Sequence, residues 1–124
     1  MNLAHMMETI RKHPDFHKAG MVLAHNGVVR ATSRDGREVT GLRVKVDRAG
    51  LDRLVAAQKK RPGIVEILVE IASDRDLVVG DDVMFLVVAG DVRENVITTL
   101  QETLNAIKTT VTHKTEYFAE QPAK

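Results

Sequence analysis

The chain has no cysteine and no tryptophan. The first absence excludes a disulfide framework, a thiolate zinc site and a thiol nucleophile within the chain. Aromatic residues make up only 3% of the sequence, so a core has to be assembled from Val, Leu, Ile and Met. No long apolar run is present: the longest, Val83 to Ala89, falls far below the ~20 residues that cross a bilayer. The opening MNLAHMMETIRKH has neither the apolar stretch nor the cleavage site of a signal peptide, and the reading is a cytoplasmic protein with no membrane contact. Nor is there an excess of one charge. Eighteen Lys and Arg stand interleaved with 17 Asp and Glu, a formal net charge of +1, which argues against a dedicated nucleic-acid binder.

What is present suits one domain, residues 1–124, long enough for a real core. Residues 3–12 read as a short helix with Leu3, Met6, Met7 and Ile10 on one side, ended by His13-Pro14. GMVLAHNGVVRATS is β-rich, with a bulge signal at Asn26-Gly27. Ser33 to Arg37 is a turn, and Thr40 to Val46 alternates Leu42, Val44 and Val46 against Arg43 and Lys45, so these two runs are expected to form a hairpin with one wet face. Residues 48–60 suit a helix through Leu51, Leu54 and Val55, stopped by Pro62-Gly63. Val65, Ile67, Val69 and Ile71 alternate with Glu66, Leu68 and Glu70 as a half-exposed strand. A polar loop around Asp74-Arg75-Asp76 and a turn at 79–82 follow. VMFLVVAG then shows almost no alternation, which predicts a central strand covered on both faces.

Asp91 to Phe118 reads as one long amphipathic helix followed by a basic, aromatic-tipped tail. Val96, Leu100, Leu104, Ile107 and Val111 supply the apolar stripe, and Asp91 with Glu94 supplies the helix start. The fold class is therefore α+β, a mainly antiparallel sheet with packed helices, without internal repeat, low-complexity tract or linker. His13 and His17 have the spacing of a metal pair, but Pro14 breaks the helix that would align them, and no metal site is expected.

The order G-x-V-x-x-x-x-G-x-V-R at Gly20 to Arg30, L-x-V-G-[DE] at Leu77 to Asp81, an arginine opening the long helix at Arg93, A-I-K ending at Lys108 and K-x-E-Y-F at Lys114 to Phe118 resembles the catalytic, large subunit of molybdopterin synthase, the MoaE-like family, in a divergent form. The resemblance runs in order along nearly the whole chain. It implies an α/β hammerhead fold and a homodimer. The implied partner is a small ubiquitin-like sulfur carrier whose C-terminal Gly-Gly thiocarboxylate enters the active site, and the implied substrate is cyclic pyranopterin monophosphate. No cofactor is bound permanently. The implied reaction is a sulfurtransferase step of molybdenum cofactor biosynthesis, and the absence of cysteine fits it, because the partner brings the sulfur.

Position by position, the resemblance assigns Lys108 and Lys114 as catalytic and Arg30 and Arg93 as substrate-binding. His25 stands where an aromatic is expected, and His113 replaces the aromatic before the tail lysine. The residue types suit the chemistry: an amine against an apolar wall exchanges protons nearer neutral pH, and arginine grips phosphate with paired hydrogen bonds. Arg93 and Lys108 on one helix lie roughly 22 Å apart at 1.5 Å per residue, so a two-fold dimer is needed to bring the two near one pocket. The chain departs from the family pattern at Val92, Ala72-Ser73, Thr115 and in the shortened segment before Lys114. These departures carry a second reading, a non-catalytic paralogue that binds a carrier or pterin as a regulatory or scaffold dimer, and a third, an interaction dimer unconnected with the cofactor. Taken without the resemblance, Lys108 is a helix-end charge favoured by the dipole, Arg30 and Arg93 are surface charges, and His25 packs within the sheet.

Overall fold

A strand apolar along its length needs cover on both faces, and the computed structural model, which describes residues 1–119, supplies it. β1 (Met21–Val28), β5 (Asp82–Gly90) and β3 (Ile64–Ile71) form an antiparallel sheet with β5 in the middle. Phe85, Val87 and Ala89 pack with Met6 and Ile10 of α1 (Leu3–Arg11). Leu86 and Val88 pack instead with Ile67 and with Val96 of α3 (Arg93–Ala106). The period of two is thus real but invisible in the sequence, because both faces are apolar. At nine residues α1 is too short to be stable alone; burial of Met6 and Ile10, each worth about 1.5–3 kcal/mol, docks it. Asn2 caps it by accepting from the His5 N–H at 3.0 Å.

A second antiparallel sheet has the order β4 (Asp76–Val78), β2 (Val39–Val46), β6 (Thr112–Phe118). Its inner face packs Leu42 and Val44 against Leu51 of α2 (Arg48–Gln58) and against Ile107 and Val111. Asp47 caps α2, accepting from the Gly50 N–H at 3.0 Å. On the outer face Tyr117 Oη donates to Asp76 Oδ1 at 3.1 Å, and Arg43 meets the same oxygen at 3.2 Å, so three strands share one carboxylate.

The α+β class, the first two helices, the bulge after Gly27 and the central strand stand as read from the sequence. Other expectations are corrected. The strands flanking the Ser33–Arg37 turn do not form a hairpin: β1 pairs with β5 and β2 with β4 and β6, leaving a lone bridge between Thr32 and Glu38. Burial decides this, since β5 offers β1 an apolar partner at nearly every position where β2 would offer Arg43 and Lys45. The basic, aromatic-tipped tail is the strand β6, and the loop at Asp76 contains β4. A register shift between Ile64 and Glu66 places Val65 with Leu68 in the α1 cluster rather than with Ile67. The long helix is not uniform: it is α-helical to Ala106 and then turns as a π-helix, Ile107–Val111. Its N-cap is Val92, without a side-chain bond, while Asp91 accepts from the Val92 N–H at 2.6 Å and from Asn95 at 2.9 Å.

Candidate functional site

The π turn is where the long helix meets the second sheet. Ile107 and Val111 are four residues apart, and both enter the core. The carbonyls left over at the helix end are taken by threonine hydroxyls: Thr109 donates to Asn105 O at 2.9 Å, Thr110 to Ala106 O at 2.6 Å and Thr112 to Ile107 O at 3.2 Å. This turn carries Lys108, exposed between the two buried residues. Single π turns within α-helices concentrate at functional sites.

Beside it opens a cleft of about 650 Å³, floored by Val29, Val39, Leu42, Val44, Ile71 and Met84. Arg30, Lys108, Lys114 and His25 all line it. Arg30 lies two residues beyond β1, next to Val29, which exchanges 2.9 Å backbone bonds with Gly80 and Asp81, and the Arg30 Nε donates to Thr32 O at 2.7 Å. Lys114 shares the cleft face of β6 with Thr112 and Glu116, as the period of two requires, and its Nζ lies 4.0 Å from Glu116 Oε1. His25 is half-buried on β1. Its Nε2 is fully enclosed without a hydrogen-bond partner and lies over Gly27, where a Cβ would come within 3.3 Å of it. Burial, and then the Lys108 charge, push the His25 pKa below its ordinary value, so the ring is neutral at pH 7.

Two of the sequence-predicted site residues stand elsewhere. His113 lies on the opposite face of β6 from Lys114, paired with Lys45 and outside the cleft. Arg93 opens α3 at its far end, exposed, with Nε 3.3 Å from Glu94. Within this chain it does not reach the cleft. Arg34 and Glu116, which are not among the sequence-predicted site residues, also line the cleft. Arg34 sat inside a turn signal; Glu116 becomes visible only once 112–118 is recognised as a strand.

The arrangement can hold an anion between guanidinium and ammonium groups, seat a flat apolar ligand on its floor, and exchange protons at an accessible amine. Among the described residues no cluster of three His, Cys, Asp or Glu side chains is placed to hold a metal, and no helix is long and apolar enough to cross a membrane.

The profile of the MoaE protein family matches residues 1–110. Among solved structures, molybdopterin synthase from Staphylococcus aureus superposes with a TM-score of 0.75 at 18% identity, over 92% of this chain and 85% of that one. Molybdopterin cofactor biosynthesis protein E from Burkholderia multivorans ATCC 17616 gives 0.74 at 20% identity, over 96% and 84%. A complex of subunits 1 and 2 of molybdopterin-converting factor from Helicobacter pylori 26695 gives 0.70 at 16%, over 95% and 80%. No curated protein matches the chain in sequence.

Proposed function

The chain belongs to the MoaE protein family, which gives it a role in molybdenum cofactor biosynthesis, and from that premise we propose that it is the catalytic subunit of a molybdopterin synthase. In this reading it transfers sulfur from a thiocarboxylated small carrier subunit to cyclic pyranopterin monophosphate. The observation that carries the proposal is the convergence of Arg30, Lys108, Lys114 and His25, from separate parts of the chain, on one apolar-floored cleft. The floor receives the pterin, and the carrier's Gly-Gly tail enters beside Lys108. Arg30 holds the phosphate, since a guanidinium stays charged and matches two oxygens at once. Lys108 and Lys114 move protons as the thiocarboxylate sulfur adds to a pterin carbon and displaces an oxygen substituent, after which water cleaves the carrier's C–S bond, so that the sulfur stays on the pterin and the carrier leaves as a carboxylate. Neutral His25, against Lys108, adds a hydrogen-bonding group to the pterin wall. Arg93 and His113 join a pocket only if a two-fold homodimer presents them to the partner's cleft.

The experiment is reconstitution: purified protein, a thiocarboxylated carrier and the precursor should yield molybdopterin. A folded protein that binds the carrier and makes no product sinks the proposal. A second reading, a non-catalytic paralogue that binds carrier or pterin as a scaffold dimer, is favoured by one specific observation, the outward placement of His113, together with the departures at Val92, Ala72, Ser73 and Thr115. Tight carrier binding without turnover, unaltered by Lys108→Ala, would select it.

A further inference from the structure

Part of the cleft wall is the Ser33–Arg37 turn, from which both Ser33 and Arg34 line the cavity. The turn is firmly built. Ser33 N–H donates to Arg37 O at 2.9 Å, Gly36 N–H to Ser33 O at 3.0 Å and Arg37 N–H to Ser33 Oγ at 3.1 Å, while Gly36 takes the left-handed conformation at φ 88° that glycine tolerates. Asp35, the turn's only carboxylate, is engaged twice, by the Ser33 hydroxyl and by Arg37 Nε at 2.9 Å. Arg37 in turn stacks on the Phe118 ring, 3.7 Å from its centroid. Both flanking charges are thereby committed to each other and to the tail, and Arg34 forms no ion pair among the described residues.

The cleft as a whole is short of negative charge. Among the described residues Arg30, Arg34, Lys108 and Lys114 line it against a single carboxylate, Glu116, which already faces Lys114 at 4.0 Å. Cations gathered over an apolar floor focus a positive potential that an anionic ligand group neutralises. Arg30 uses its Nε on Thr32 O, which leaves its two terminal nitrogens for a ligand.

We propose that Arg34 is a second anion-binding arginine of this cleft, forming with Arg30 a paired guanidinium subsite for a phosphate group on the ligand. The proposal deepens the functional reading above and rests on it for the identity of the ligand, though not for its chemical class. Paired guanidinium groups suit a phosphate ester, each donating parallel N–H groups to its non-bridging oxygens.

The test is calorimetric titration of the full chain with cyclic pyranopterin monophosphate and, separately, with pyrophosphate. Four proteins are compared: wild type, Arg34→Gln, Arg34→Lys and Arg53→Gln. Arg53 is exposed on α2 and does not line the cleft, so its loss matches the charge change without touching the subsite. Arg34→Gln is expected to weaken binding of both ligands about tenfold, the loss of one charge-assisted contact. Arg34→Lys should fall between, because lysine offers a point charge in place of a planar fork, and Arg53→Gln should bind as wild type does. Equal binding by Arg34→Gln and Arg53→Gln would overturn the proposal while leaving the pterin reading intact. Binding of pyrophosphate that depends on Arg34, with none of the pterin compound, would uphold the subsite and overturn the pterin reading. A wild type that binds neither ligand would overturn both.

Discussion

Replacing Thr103 by valine should make the protein more stable. Thr103 is 0% exposed and its hydroxyl has no hydrogen-bond partner, on the face of α3 that also buries Val96 and Thr99. A buried hydroxyl left unpaired costs about 1–3 kcal/mol by the protein mutational scale, and the methyl that replaces it contributes up to ~0.8 kcal/mol of apolar burial. Valine has the shape of threonine and nearly its helix propensity, so neither a cavity nor a backbone penalty offsets the gain. The net expectation is a stabilisation of about 1–3 kcal/mol. In a chain of 124 residues each kcal/mol moves Tm by roughly 3–6 °C, so a rise of about 3–18 °C is expected. Thermal unfolding by circular dichroism, with a urea titration showing a raised midpoint and an unchanged slope, measures it. Thr98→Val, at an exposed position on the same helix, should stay within about 0.5 kcal/mol of wild type. A Thr103→Val variant destabilised by about 1 kcal/mol or more would mean instead that the hydroxyl is hydrogen-bonded in solution.

Other expectations follow from the caps and charges. The His25 pKa lies below its ordinary 6.5 in the fold, so on acidification the unfolded chain takes up that proton first. Stability should therefore fall as pH drops through about 6.5, until the folded-state pKa is passed. His25→Phe should flatten that part of the slope in urea midpoints taken between about pH 7.5 and 5, whereas an unchanged slope would show that His25 titrates freely. Asp47→Ala should cost about 1 kcal/mol by removing the α2 cap, and Asp47→Asn far less, as read from denaturation midpoints.

What could be read in the sequence was what local chemistry dictates. His13-Pro14 and Pro62-Gly63 end helices by their own backbone restrictions, and Val83 to Ala89 declares a doubly covered strand. Pairing was less legible, because it is a competition across the whole chain. β6 reads as a polar tail until β2, more than sixty residues earlier, supplies its ladder. The change from α to π at Ile107 leaves no mark, since Ile107 and Val111 keep the spacing of an ordinary helix. Thr99 and Thr103 escaped notice in the apolar stripe because their type is polar, although both are buried. Lys108, Lys114, Arg30 and His25 were identified by resemblance, and they line one cleft. Arg34 was absorbed into its turn, since the pattern Ser-Arg-Asp-Gly-Arg explains itself by turn chemistry alone.

The proposed role of Lys108, whose accessible amine the π turn sets at the edge of the cleft, is to move protons in sulfur transfer. Its most direct test is the single-turnover rate of precursor conversion by wild type and by Lys108→Ala, with the same thiocarboxylated carrier at saturation. Wild type is expected to form product, and the variant to do so at a rate about 10²–10⁴-fold lower, the span of a lost general acid–base group, with carrier affinity retained. Equal rates from the two proteins would contradict it.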